Sequence, residues 1–111
     1  MHSLPDIVKA IALNNKINES RELADTVQKS MVKRLGAKNK ALKDLGVKQA
    51  PFVVLIGAAM PSVLTEISFL TNQREARLLR GGVYRQRIAE ALFASICNYQ
   101  KALKNVSTVA Q

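Results

Sequence analysis

Apolar residues recur along this chain at two spacings, and each spacing predicts a different kind of element. Near the start, Ser3, Pro5 and Asp6 read as a helix opening, with Ser3 as N-cap, Pro5 in the first turn and Asp6 at the capping-box position. Ile7, Val8, Ile11 and Ala12 follow as one stripe, which predicts a short helix ending near Asn14 and Asn15. Leu23, Ala24, Val27, Met31, Val32 and Leu35 recur at three and four and predict a second, stronger helix. Glu19, Glu22 and Asp25 crowd its first turns and Lys33, Arg34 and Gly36 close it, as the helix dipole favours.

Residues 37–46 are polar and basic and read as a surface loop. Residues 52–56, Phe-Val-Val-Leu-Ile, are then an unbroken β-prone run between Pro51 and Gly57, which predicts a strand buried on both faces. A second strand is expected over residues 63–69, after the Met60-Pro61 break. Asn72 reads as the N-cap of another helix, with Glu75 completing a capping box and Gly81 and Gly82 ending it. Ile88, Ala89, Leu92, Phe93, Ile96, Tyr99 and Leu103 mark one face of a last long helix, and residues 105–111 are expected to form a loose tail. Strands set among amphipathic helices predict an α/β fold, part of a layered sheet with helices on both faces.

Composition narrows the possibilities. The chain has 111 residues, enough for one domain or part of one. A single cysteine, Cys97, excludes an internal disulfide and a cysteine-based zinc site, and its position at the edge of the last helix suits a packed thiol. From Ala50 to Leu70 the run is apolar, but Pro51, Pro61 and Glu66 interrupt it, so no transmembrane helix is expected. The opening MHSLPDIVKA has no basic region leading into an apolar one, and no signal peptide is read there. Net charge is +9, with seven Lys or Arg against one Asp between Lys29 and Lys48. Such a run suits phosphates or another anionic surface. No aromatic residue lies among these charges to stack a base, so nucleic acid is not the expected partner.

Glu66 is the one charged residue between Ala50 and Leu70. In an extended segment it shares a face with Ser62, Leu64 and Ser68, while Val63, Thr65, Ile67 and Phe69 take the other. A structural role would pair it with Arg74, Arg77, Arg80, Arg85 or Arg87. A chemical role is favoured by its place near the carboxyl end of the expected strand, where open α/β sheets form ligand clefts. Apolar flanks also favour the protonated form of a carboxylate, which suits proton transfer.

Three stretches carry a resemblance: NNKINESRELADTVQKSM, then LGVKQAPFVVLIGAAMPSVLTEISFLTNQREARLL, then YRQRIAEALFASICNY. Together they resemble the C-terminal half of the zinc-dependent N-acetylmuramoyl-L-alanine amidases, which cut peptidoglycan between the lactyl group of N-acetylmuramic acid and L-alanine. The most specific element is MPSVLTEISFLTN, residues 60–72, supported by Leu78, Leu79 and the Tyr84-Arg85 to Ile88-Ala89 pattern. By this resemblance Glu66 is the catalytic base and acid of a zinc hydrolase acting on peptidoglycan in the periplasm or cell envelope. The implied zinc ligands, two histidines and a glutamate, fall in segments with no counterpart here, so no metal ligand is assigned in this chain. The one histidine, His2, precedes the first helix, where the resemblance places no ligand.

Residues 1–104 are therefore expected to be the second half of a catalytic domain truncated at its N-terminus, inactive alone, with sheet edges open to self-association. The alternative is a non-catalytic, basic module that binds the cell envelope or a partner.

Overall fold

The computed structural model describes the backbone of residues 3–110 and the side chains of residues 3–106. Four helices carry it in chain order: α1 (Leu4–Gly36), α2 (Val53–Ile56), α3 (Gln73–Arg80) and α4 (Gly82–Ala110). Among the described residues there is no strand. The expected α/β fold and its layered sheet are thus corrected to an all-helical architecture. The physical reason lies in what a strand requires. A helix satisfies its backbone within one segment, whereas a strand needs a second backbone alongside. Residues 52–56 and 63–69 have the side chains of strands but meet no partner strand, and the first takes up a single helical turn instead. Without sheet edges, the expected route to self-association through them also falls away.

At the N-terminus, Ser3 caps α1 by accepting a hydrogen bond from the Asp6 N–H at 3.4 Å, and its own hydroxyl donates to the Asp6 carboxylate at 2.8 Å. The helix does not stop at Asn14 and Asn15. Between Asp6 and Leu35 no glycine or proline interrupts the chain, and asparagine costs a helix interior only a fraction of a kcal/mol, under about 0.7. The two predicted helices are therefore one, 33 residues long. Its first turns, with Leu4, Ile7, Val8 and Ile11, are exposed. α4 continues through Ala110, past the point where the apolar pattern fades.

The core lies where α1 and α4 run antiparallel. Val27, Met31 and Leu35 of α1 meet Tyr84, Ile88 and Ala91 of α4, and the Ser30 hydroxyl donates to the Ala91 carbonyl at 2.9 Å. The buried face of α4 is not the one its large residues predict. Tyr84, Ile88, Ala91 and Ser95 are buried, while Phe93 is 69% exposed and Ile96 is exposed. Ala91 and Ser95 have no accessible surface, so small side chains are what allow the two helices to approach. The Ser95 hydroxyl is satisfied by the Ala91 carbonyl one turn back, at 2.6 Å.

The connection from α1 to α3 crosses the hairpin as a pinned strap. Arg21 donates to the Gln49 side chain at 2.8 Å, the Lys16 ammonium donates to the Leu55 carbonyl at 2.9 Å, and the Ser62 N–H donates to the Ser20 hydroxyl at 3.0 Å. The lysine thus supplies a donor to carbonyls at the end of α2 that would otherwise face water.

Candidate functional site

The strap places Glu66. Over residues 63–67 the chain alternates as a strand would: Val63, Thr65 and Ile67 are partly buried, and Leu64 and Glu66 are exposed. Val63 and Thr65 line an open apolar groove of about 320 Å³ with Leu23, Val27, Leu92 and Ile96, and Ile67 packs onto the core. The alternation ends at Ser68, whose φ of 66° is left-handed. That reversal turns the next residue outward, and Phe69 is 60% exposed.

A hydrogen-bonded turn then fixes the chain on the far side of Glu66. The Asn72 N–H donates to the Phe69 carbonyl at 3.0 Å. Asn72 caps α3 by accepting from the Glu75 N–H at 3.1 Å, as the sequence predicts. Glu75 departs from an ordinary capping box, because its carboxylate accepts from the Phe69 N–H at 2.7 Å rather than from Asn72. One side chain therefore ties the first turn of α3 to the residue after the left-handed Ser68. Nothing in the sequence marks Ser68 for that conformation, which glycine and asparagine adopt more readily.

The Glu66 carboxylate makes no hydrogen bond or ion pair among the described residues, so the pairing with Arg74, Arg77, Arg80, Arg85 or Arg87 does not form. Three of these arginines have other partners: Arg74 donates to the Asn39 side chain at 2.7 Å, Arg77 to the Gln73 carbonyl at 3.5 Å, and Arg85 to the Leu79 and Arg80 carbonyls at 2.9 and 3.0 Å. Glu66 lines neither the apolar groove nor the larger one of about 560 Å³ between Arg34 and the Phe93–Cys97 side of α4. It stands in water rather than among the apolar neighbours its sequence context suggests.

The chain matches the family model described as N-acetylmuramoyl-L-alanine amidase over residues 8–98. The chain belongs to this family. It is 40% identical over 86 residues to an uncharacterized cell wall amidase of Bacillus anthracis, an alignment covering 78% of this chain and 15% of the relative. It is 35% identical over 82 residues to the N-acetylmuramoyl-L-alanine amidase LytC of Bacillus subtilis, covering 74% and 16%. With the N-acetylmuramoyl-L-alanine amidase AmiA of Escherichia coli it shares 34% identity over 100 residues, covering 88% of this chain and 32% of that protein. The chain thus spans a third or less of the length of these three relatives. No solved structure matches it.

The zinc that the resemblance implies can be tested against the residues present. A catalytic zinc takes three protein ligands of the His, Asp, Glu or Cys type. Among the described residues no three such side chains converge, at Glu66 or elsewhere, and His2 lies outside the described residues. The described residues do not fit the metal. No helix among them is long and apolar enough to cross a membrane.

Proposed function

We propose that this chain contributes the proton-transfer part of an N-acetylmuramoyl-L-alanine amidase of the cell envelope, with Glu66 as general base and then acid. The observation that carries the reading is the Glu66 carboxylate, exposed and unengaged in the middle of the family-matched segment. A glutamate kept for structure would be paired. One free to take and return a proton must be reachable by water and by substrate.

In the proposed reaction, water adds to the lactyl carbonyl carbon of N-acetylmuramic acid while Glu66 takes its proton. The C–N bond then breaks, and Glu66 returns that proton to the departing amine of L-alanine. The products are a lactyl carboxylate and a free amino terminus. A zinc ion belongs to this proposal for the complete domain, with ligands from residues other than the described ones, and no step is drawn through it here.

The test is Glu66→Gln in the complete amidase. Glutamine keeps the shape but cannot carry the proton, so turnover of purified peptidoglycan should fall by about 10² to 10⁴ while sedimentation with the substrate is unchanged. Wild-type turnover in that variant would remove Glu66 from the chemistry.

A further inference from the structure

We propose that the end of the molecule formed by the loop at residues 37–43 and α3 is a docking surface for an anionic wall polymer, a flexible chain of repeating phosphodiesters. The fold brings together two basic sets that lie far apart in sequence. Asn39 is 3% exposed, and its side-chain oxygen accepts from Arg74 at 2.7 Å. Leu42 packs against the same core cluster as Leu78 and Leu79. Lys38 and Lys40, on either side of Asn39, are therefore held beside Arg74, with Arg77 one turn further along α3. All four are exposed, and the Lys38 and Lys40 ammonium groups have no partner among the described residues.

The acids within the loop and α3, Asp44 and Glu75, keep their charge but are outnumbered by Lys38, Lys40, Arg74 and Arg77. The Glu75 carboxylate holds the Phe69 N–H, and Asp44 accepts from the Gln28 side chain and the Gly46 N–H. This end is therefore net basic, as the whole chain is at +9.

The chemistry of the surface selects among polyanions. A membrane-surface element buries an apolar face beside its charges. Here Leu78 and Leu79 of α3 and Leu42 of the loop are turned to the core, and the exposed Phe69 and Leu70 before α3 are too few to make such a face. Strand-tracking nucleic-acid sites stack successive bases on several aromatic rings. This end has none within the loop or α3, and Phe69 before it is a single ring. A flexible phosphodiester chain needs neither feature, only cations that it can follow. The proposal rests on the amidase reading for the compartment alone.

The experiment measures binding of the 111-residue chain to fluorescent poly(glycerol phosphate) at low salt and at physiological salt. Binding at low salt should weaken steeply on raising the salt, and Lys38→Ala/Lys40→Ala should weaken it by about tenfold. Arg77→Ala should weaken it too. Lys9→Ala/Lys101→Ala removes the same charge far from this end and should leave affinity within about twofold, with helicity by circular dichroism equal in all variants. Equal losses from the two lysine pairs would show net charge at work and overturn the proposal. So would tighter binding to single-stranded DNA or to vesicles containing phosphatidylglycerol, or no binding to the polymer at low salt. Glu66→Gln should bind the polymer like the parent chain, so this proposal and the amidase reading fail independently.

Discussion

Ser68 is the residue on which the local geometry around Glu66 turns. Its left-handed φ of 66° ends the alternation that turns Glu66 outward and begins the turn that Glu75 secures through the Phe69 N–H. A β-branched side chain is strained there and a glycine is not. Ser68→Val should therefore cost about 1–3 kcal/mol in urea unfolding, while Ser68→Gly should stay within about 0.5 kcal/mol of the parent. A harmless valine would mean that the backbone relaxes away from this conformation. Tyr99 offers a second residue-level test. Its hydroxyl is buried with no hydrogen-bond partner among the described residues, and burial pushes the phenol above its ordinary 10.0, with the Glu19 and Glu22 carboxylates adding to the rise. The folded state thus holds this proton more tightly than the unfolded chain does. The contribution is fully present below pH 10 and is lost as pH climbs past the unfolded value toward the higher folded one. Tyr99→Phe should remove that alkaline loss and, by deleting an unsatisfied hydroxyl, leave stability at neutral pH equal or higher. A lower melting temperature at neutral pH would reveal a partner for the hydroxyl.

The helix ends around these residues were legible because each depends on a few neighbours in sequence. Ser3 and Asn72 cap their helices and Gly81 closes α3 as their spacing implies, although the Glu75 carboxylate reaches the Phe69 N–H instead of completing the capping box. The body of each element was harder to read, for a different reason at each place. In α1 the asparagines look like a stop but impose none, since asparagine costs a helix little and no glycine or proline interrupts it. In α4 the largest residues mark a face, yet Phe93 lies outside and Ser95 is wholly buried, because the closeness of α1 selects for small volume and no spacing rule reports that. At residues 52–56 β-branched and aromatic side chains describe a strand correctly as a preference, and the missing partner backbone decides otherwise. The α4 reading can be tested directly. Ser95→Leu should overpack the α1–α4 contact and cost about 1–3 kcal/mol, whereas Phe93→Ser should change stability by less than about 0.5 kcal/mol. The reverse order would restore the face predicted from the large side chains.

As a whole the molecule is long for its size. It extends 55 × 33 × 19 Å with a radius of gyration of 17.2 Å. A compact domain of this length would have a radius of about 13 Å. The difference follows from the hairpin: α1 and α4 meet along part of their length, and among the described residues six buried apolar side chains make up the core cluster. Large apolar side chains remain in water along the strap, Val53 at 87% exposed and Val54, Ile56, Met60 and Leu70 also exposed. Glu66 is exposed on the same strap as these apolar side chains. A chain with so little buried area has little surface to expose on unfolding. Its urea m-value should therefore fall below about 1 kcal/mol/M. The same strap should bind the dye ANS under native conditions, and Val53→Ser with Ile56→Ser should reduce that fluorescence without lowering helicity. A steep, cooperative urea transition with no dye binding would mean that the chain covers its own strap in solution, through a packing of α2 against the hairpin tighter than the single Lys16 tether provides.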